Sequence, residues 1–176
     1  MLLRAVALES LLAWDRRWTR RLNASVGVAP VRVVLRLVSR LGDGVFWYAL
    51  MLALISTQGR PGLETALRML VAGLIGLVVY KLLKAKTGRP RPYKVLCDIR
   101  AGIAPLDTFS FPSGHTLHAV AFTLVVVADF PVLAWVLAPF TALVAISRVV
   151  LGLHYPSDVL AGAVIGAGVA QAVLAL

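Results

Sequence analysis

Three short polar clusters in an otherwise apolar sequence contain side chains that could act on a phosphate group. The first contains Lys84 and Arg91, and the third contains Arg148. Such cations stabilise the negative charge that spreads over the oxygens of a phosphoryl group during its transfer. The second cluster, residues 112–115, predicts a helix that begins after Ser113 and presents free backbone N–H groups to an anion. Taken singly, the clusters are more simply explained as headgroup contacts and an ordinary helix cap.

The spacing of these residues is more specific than any one of them. Six residues separate Lys84 from Arg91, five separate Arg148 from His154, and three separate His154 from Asp158. In order and spacing the clusters resemble the signature motifs of the superfamily of type 2 phosphatidic acid phosphatases and vanadium haloperoxidases, in its membrane lipid phosphatase branch. The matching residues are Lys84 and Arg91-Pro92, then Pro112-Ser113-Gly114-His115, then Ser147-Arg148, His154 and Asp158.

The resemblance implies a role for each motif residue. His154 is expected to attack phosphorus and carry the phosphoryl group, while Asp158 orients the ring through its other nitrogen. His115 is expected to protonate the leaving lipid oxygen and then to activate the water that hydrolyses the phosphohistidine. The residues expected to bind the phosphate oxygens are Lys84, Arg91, Ser113, Gly114 and Arg148.

Three further residues have less specific interpretations. His118 could share the helical face of His115, although a packing or rim position is the simpler explanation. Asp43 is predicted to be a helix cap or the partner of a loop arginine. Cys97 is the single cysteine, which excludes an intrachain disulfide. Because no acidic or histidine cluster has the spacing of a metal site, we expect neither a metal nor another cofactor.

The composition places these motifs in a membrane protein. Of the 176 residues, 60% are hydrophobic and 15% are charged, whereas about a quarter of residues in soluble domains are charged. Mean hydropathy is +0.87. The clearest apolar segments lie at about residues 45–57, 65–83, 115–130, 132–150 and 159–176. Because a span needs about 20 helical residues, we predict an all-α polytopic bundle with five spans, the first and third of them short.

The N-terminal segment, residues 1–42, differs from the rest of the chain because arginines are spread through it. Arg32, Arg36 and Arg40 repeat every four residues and therefore share one helical stripe. We predict that this segment is amphipathic and lies at the membrane interface. It precedes a helical core of residues 43–176, and the two form one domain. The alternative, a sixth span hidden in the segment, is disfavoured by the arginine density.

The polar clusters are predicted to meet at one membrane surface. Residues 84–113 form a long polar stretch that emerges from the second span, and such stretches usually carry function. The fourth span ends and the fifth begins on that same face. The net charge of +10 is best explained by anionic lipid headgroups and a phosphorylated substrate. No signature of nucleic-acid binding is present, and no obligate protein partner is indicated.

These observations predict an integral membrane phosphatase that acts on a phosphomonoester or pyrophosphate lipid. The resemblance implies phosphatidic acid, phosphatidylglycerophosphate, polyprenyl pyrophosphates or lipid A phosphates as substrates, and nothing in residues 93–111 selects among them. Two other function classes stay open. One is a vanadate-dependent haloperoxidase, which the spans disfavour because that branch is larger and soluble. The other is a protein that transfers phosphate between lipids or only binds a phospholipid.

The two indications of sidedness disagree. Lys and Arg are concentrated on the face that bears the motifs and in residues 1–42, while the other face keeps only Arg60 and Arg68. The positive-inside rule therefore favours a cytoplasmic active site. The resemblance to bacterial family members implies the periplasmic face of the inner membrane instead, and we favour that face.

Overall fold

Helices form nearly all of the regular structure in this chain. The structure is a computed structural model that describes the backbone of residues 2–176 and the side chains of residue 6 and residues 8–176. Within that range no strand is present, and the predicted all-α class is confirmed. The helices are α1 Leu2–Asn23, α2 Ala29–Arg40, α3 Phe46–Gln58, α4 Arg60–Thr87, α5 Pro92–Val95, α6 Gly114–Asp129, α7 Ala134–Val150 and α8 Pro156–Leu174.

The arrangement is that of a multi-pass membrane bundle. Among the described residues, four helical stretches are long and apolar enough to cross a membrane, and they are Ala29–Gln58, Arg60–Thr87, Pro131–Val150 and Pro156–Leu174. The fifth apolar helix, α6, has only 16 residues. These five elements correspond to the five predicted spans.

The first candidate span belongs to a helical stretch that is longer than the predicted apolar segment. The helix α2, a π-helical turn at Leu41–Val45 and α3 form one stretch that continues across the expected boundary at residue 42. The arginine stripe that suggested an interfacial position has partners in the neighbouring loops. Arg32 and Arg36 both donate hydrogen bonds to backbone carbonyl groups outside α2. These backbone partners leave no trace in the sequence. The boundary at residue 42, with an interfacial segment before it, stays a prediction.

The short helix α6 lies at the centre of the bundle, against α4, α7 and α8. Its Leu117 and Ala119 are fully buried. Two glycines of α8 allow close approach: a Cβ added at Gly162 would lie 2.6 Å from the carbonyl oxygen of Ser113, and one at Gly166 would lie 2.3 Å from that of Leu117. Small residues at such crossings are typical of membrane helices. The close packing brings the start of α6 beside the start of α8.

The helix α1 turns a polar face towards the ends of α7 and α8. Asp15, Thr19 and Asn23 repeat every four residues and are buried, whereas Trp14 and Trp18 are 38% and 39% exposed. Asn23 donates a hydrogen bond of 2.8 Å to the last carbonyl of α7. Among the described residues, α1 is not one of the helices apolar enough to cross a membrane. Its interfacial position stays a prediction, and its polar stripe faces the protein.

Candidate active site

One cavity of about 650 Å³ brings together most of the predicted site residues. They come from the end of α4, the loop after it, the start of α6, the end of α7 and the turn before α8. Of the predicted residues, Ser113 and Asp158 lie outside the cavity lining. Those that line it are Lys84, Arg91, Gly114, His115, Arg148 and His154.

His154 lies in the turn between α7 and α8, with hydrogen-bonding groups near both ring nitrogens. Nδ1 lies 2.6 Å from the carbonyl oxygen of Ser110, and Nε2 lies 3.2 Å from Nη1 of Arg91. Because a carbonyl group can only accept, Nδ1 carries the ring proton and Nε2 keeps its lone pair. The side chain is 1% exposed. The atom available for attack on a phosphate is therefore Nε2.

The surroundings of His154 favour its neutral form. Burial, followed by the positive charges of Arg148, Arg91 and Lys84, lowers the pKa of His154 well below its ordinary value. Both burial and neighbouring cations disfavour the imidazolium. Since only the neutral ring has a free lone pair, the site keeps this histidine in its nucleophilic form.

Asp158 supports His154 without a direct hydrogen bond to its ring. Its Oδ2 lies 3.8 Å from Nδ1, beyond hydrogen-bond range. That oxygen accepts instead from the backbone N–H of Tyr155 at 2.8 Å. Our expectation of a direct bond to the ring is corrected, because the carbonyl of Ser110 already takes the Nδ1 proton. The carboxylate is still near enough to favour positive charge on the ring.

The support of Asp158 extends to α1 through Arg89. This arginine donates to Asp158 at 2.6 Å and to Asp15 at 2.7 Å. Asp15 is fully buried and also accepts from the backbone N–H of Ser157 at 2.9 Å. Burial opposes the charge of Arg89, but Asp158 and Asp15 outweigh it and raise the pKa of Arg89. The N-terminal helix is thus tied to the start of α8.

Asp107 holds two of the predicted phosphate-binding cations side by side. Its carboxylate lies 2.6 Å from Nζ of Lys84 and 2.8 Å from Nη2 of Arg91, and it lines the cavity. Burial opposes ionisation of this carboxyl, but the hydrogen bonds and charges of Lys84 and Arg91 are stronger and lower the pKa of Asp107. The two cations therefore meet any ligand as an ordered pair.

Ser113 caps α6 and does not line the cavity. Its Oγ lies 2.9 Å from Oγ1 of Thr116, and its backbone N–H donates to the carbonyl of Asp158 at 3.0 Å. The hydroxyl takes part in the cap and the side chain is fully buried, and the expected direct contact of Ser113 with the phosphate stays a prediction. Gly114 does line the cavity, so the N-terminal end of α6 faces a ligand there.

His115 faces the cavity from the first turn of α6, and its Nε2 contacts the carboxylate of Asp43. Asp43 lies in the π-helical turn, where Gly44 has a φ of 145° that favours glycine. Our prediction that Asp43 is a cap or the partner of a loop arginine is therefore wrong. The two residues are 72 positions apart, and no local pattern links them.

Arg148 completes the group of cations. It is 2% exposed, and its guanidinium donates a hydrogen bond to Ser39 of α2. Its Nε has no hydrogen-bond partner among the described residues. Buried N–H groups normally have one, and a bound phosphate is an acceptor of the matching charge. In the described part of the chain, no three His, Cys, Asp or Glu side chains are grouped as metal ligands.

Away from these charges the cavity has an apolar wall. Its lining there includes Trp47, Met51, Met69, Leu74 and Phe122. A ligand with a phosphate head and a hydrocarbon tail matches this division between polar and apolar lining.

His118 bridges two helices and lines the cavity. Its Nδ1 lies 2.8 Å from the carbonyl oxygen of Gly114, and its Nε2 lies 3.2 Å from that of Gly73. Both contacts are to backbone, on α6 and on α4. This arrangement agrees with the packing role that we considered the simpler explanation.

Four residues of the site were not singled out from the sequence. Arg89 and Asp107 lie in the polar stretch between spans, where their charge was the available signal. Asp15 is an acidic residue in an arginine-rich helix, which was a second signal. Ser110 contributes a backbone carbonyl group to His154, and side-chain patterns give no indication of such a contact.

Comparison with known proteins gives the same family from sequence and from structure. The family model described as PAP2 superfamily matches residues 65–176. The chain is 31% identical to the lipid A 1-phosphatase of Rhizobium johnstonii, over 94% of this chain and 73% of that protein. It is 34% identical to the undecaprenyl-diphosphatase BcrC of Bacillus subtilis, over 67% of this chain and 61% of that protein.

Two solved structures resemble this one. The crystal structure of Aquifex aeolicus LpxE matches with a TM-score of 0.76 and 25% identity, covering 91% of this chain and 94% of that chain. A transmembrane PAP2-type phosphatidylglycerolphosphate phosphatase from Bacillus subtilis matches with a TM-score of 0.73 and 25% identity, covering 99% of this chain and 90% of that chain.

Proposed function

The chain belongs to the PAP2 superfamily and is a membrane lipid phosphatase, and we propose that it works through a phosphohistidine on His154. The observation that carries this proposal is the placement of Nε2 of His154. The Ser110 carbonyl holds the ring proton on Nδ1, so Nε2 keeps its lone pair, in a cavity whose lining includes Lys84, Arg91 and Arg148. A neutral nucleophile among fixed positive charges is suited to attack on an anionic phosphate ester.

In the first step, Nε2 of His154 forms a bond to phosphorus while the bond from phosphorus to the lipid oxygen breaks. The proton on His115 passes to that oxygen, which leaves as an alcohol or, from a pyrophosphate lipid, as a lipid monophosphate. Lys84, Arg91 and Arg148 stabilise the phosphoryl oxygens. The Nδ1 proton of His154 stays on the ring, hydrogen-bonded to the carbonyl of Ser110. Asp158 stabilises the positive charge of the phosphohistidine.

In the second step, His115 takes a proton from a water molecule. The water oxygen bonds to phosphorus, and the bond from phosphorus to Nε2 of His154 breaks. Inorganic phosphate leaves, and both histidines return to their starting states. Ser113 is the N-cap of α6, and Gly114, its first residue, lines the cavity. The backbone N–H groups at this helix start can therefore donate to the phosphate oxygens.

The charge needed for this chemistry can come from the protein's own cations. Arg91 and Arg148 are nearly fully buried, and Lys84 is paired with Asp107 beside them. Preorganised cations of this kind do the work that a metal ion does in other phosphatases. We therefore propose a reaction that needs no metal and no other cofactor.

The proposed substrate is a phosphomonoester or pyrophosphate lipid. The relatives described above are named for lipid A phosphate, undecaprenyl diphosphate and phosphatidylglycerolphosphate, and each name is that of a phosphatase. This favours lipid phosphate hydrolysis over the haloperoxidase and lipid-binding alternatives. The apolar wall of the cavity supplies a surface for the hydrocarbon tail.

The protein is a multi-pass membrane protein, and we propose that it lies in the inner membrane with its active site at the periplasmic face. The resemblance of the motifs to those of bacterial family members favours this placement by analogy. The arginines of α1 and α2 are the argument for the cytoplasmic face. Labelling of Cys97, which is exposed and belongs to the loop beside the site, with a membrane-impermeant maleimide in intact cells tests the sidedness directly.

A phosphate-release screen tests the function. The purified protein in detergent is offered phosphatidic acid, phosphatidylglycerophosphate, undecaprenyl diphosphate and lipid A, with His154→Ala as the background control. Phosphate release from at least one lipid by the wild-type protein alone is expected. Release from none of them, or equal release by the variant, would disprove the proposed function.

A further inference from the structure

We propose that Asp43 is a positioning residue for His115, which orients the imidazole and stabilises its protonated form as the donor to the leaving lipid oxygen. The inference rests on the proposed function, because it assigns a partner to the proton donor of that reaction. Its starting point is the contact between the Asp43 carboxylate and Nε2 of His115. Both residues line the cavity, so the contact lies at the place of the reaction.

The backbone around Asp43 is shaped for this contact. The residues Leu41–Val45 form a π-helical turn between α2 and α3, and this turn packs on α6. Gly44 takes a positive φ of 145° there, and a Cβ added at Gly42 would lie 3.1 Å from Val144 of α7. Single π turns in helices frequently occur at functional sites. The interruption of the first span thus places a carboxylate against the first turn of α6.

The charges around His115 show why it needs a carboxylate. Burial of the ring disfavours its charged form most, the positive charge of Arg148 on α7 adds to this, and His118 on α6 also lies near. The carboxylate of Asp43 acts in the opposite direction. A neutral His115 could not donate the proton that the leaving group needs.

Other carboxylates near the site already have partners. Asp107 is held by Lys84 and Arg91, and Asp158 is held by Arg89 and Tyr155. Asp43 is the carboxylate that contacts His115.

An imidazolium ring has two N–H groups. Nε2–H of His115 is directed to Asp43, and within the described part of the chain no hydrogen bond to Nδ1 is found. The Nδ1 proton is then the one given to the leaving oxygen, and it is restored when His115 takes a proton from the attacking water. Asp43 keeps its negative charge throughout and exchanges no proton. The aspartate of a Ser-His-Asp triad acts in the same way, because it orients the histidine and stabilises its charged form without becoming protonated.

The test compares Asp43→Asn with the wild-type protein on two phosphate monoesters. One is a lipid phosphate monoester that the protein hydrolyses, whose alcohol leaves poorly, and the other is p-nitrophenyl phosphate, whose phenolate leaves without acid assistance. General acid catalysis contributes about a hundredfold or more. Asp43→Asn should therefore lower kcat on the lipid by at least about tenfold, and should change kcat on the aryl ester by less than about threefold. Retained aryl turnover also shows that the variant is folded.

A second readout is the pH profile of kcat on the lipid. Activity falls at high pH when the acid loses its proton. In Asp43→Asn this fall should move to lower pH, because the carboxylate no longer stabilises the protonated ring. Asp43→Glu keeps the charge and should restore part of the lipid turnover. Asp98→Asn removes an exposed carboxylate that pairs with Arg20 and should leave both substrates and the pH profile unchanged.

Equal losses on the lipid and the aryl ester, full lipid activity in Asp43→Asn, or an unmoved pH profile would each overturn the assignment. These outcomes are distinct from failure of the proposed function. If the wild-type protein releases phosphate from no lipid, the phosphatase itself is in error. If the wild-type protein releases phosphate and Asp43→Asn behaves like Asp98→Asn, the phosphatase function stands and only the role assigned to Asp43 is wrong.

Discussion

The carbonyl oxygen of Ser110 lies 2.6 Å from Nδ1 of His154 and thereby decides which nitrogen of the ring can react. The carboxylate of Asp158, four residues after the histidine, is 3.8 Å from the same nitrogen. The orientation of the ring therefore depends on a backbone atom of the loop before α6. The nearby carboxylate contributes charge and holds the turn that carries His154.

The lowered pKa of His154 predicts where activity is lost on the acid side. A nucleophile with an ordinary histidine pKa would be half protonated near pH 6.5. Because burial and three cations lower this pKa, the acid-side fall of kcat/KM should lie below pH 6.5, after correction for ionisation of the substrate phosphate. Arg91→Gln removes one of the cations, so its acid-side fall should move to higher pH. A wild-type fall at or above pH 6.5 would contradict a neutral buried ring.

The two histidines should separate in a phosphoenzyme experiment. His154→Ala should form no covalent intermediate. His115→Ala should regain part of its phosphorylation rate with an activated leaving group but should dephosphorylate slowly, so an acid-labile, base-stable phosphoenzyme should accumulate. Rapid quench with radiolabelled substrate and peptide mapping measures both effects. Label on Ser113 or Asp158, or label that persists in His154→Ala, would rule out the assignment.

The buried cations should matter far more than the exposed ones. Arg91→Ala and Arg148→Ala should each lower kcat by at least about a hundredfold, the usual scale for loss of a transition-state charge partner. Arg100→Ala is the matched control, because this arginine is exposed and lies outside the cavity lining. Similar losses at all three positions would mean that general surface charge, and not a formed site, supports activity.

Activity should be independent of metal ions and sensitive to vanadate. Vanadate mimics the phosphate in transfer and should compete for the cations that surround His154. Dialysis against EDTA should leave phosphate release unchanged, and micromolar to millimolar vanadate should inhibit it. Loss of activity in EDTA that magnesium restores would show that the protein cations are insufficient.

The link between α1 and α8 should contribute to stability as well as to activity. Asp15→Asn removes the charge of a fully buried carboxylate and leaves Arg89 with one acidic partner. Breaking a buried ion pair typically costs about 3–5 kcal/mol, so the melting temperature in detergent and kcat should both fall. Glu64→Gln is the control, since its pair with Arg60 is exposed and such pairs contribute about 0.3–0.5 kcal/mol. Equal melting temperatures for the two variants would exclude a structural role for Asp15.

The sequence was sufficient for the fold class and for the cavity, but not for the contacts that orient the reacting groups. Apolar segments indicated the spans, and motif spacing identified cations that the structure gathers around His154. The contact between Asp43 and His115 arises from tertiary packing across 72 positions. The carbonyl of Ser110 has no side-chain signature. For α2, loop carbonyl groups satisfy Arg32 and Arg36, which the arginine pattern alone could not show.

The polar stripe on α1 has an evolutionary consequence. Arg89 donates from one Nη atom to Asp15 and from the other to Asp158. Loss of Arg89 alone would therefore leave two buried carboxylates without their cation, and loss of Asp15 alone would leave Arg89 with one of its two acidic partners. Among relatives that share the motif aspartate, the residues at these two positions should therefore be gained and lost together. A relative that lacks a helix equivalent to α1 should carry an uncharged residue in place of Arg89, or a new acidic partner contributed by another loop.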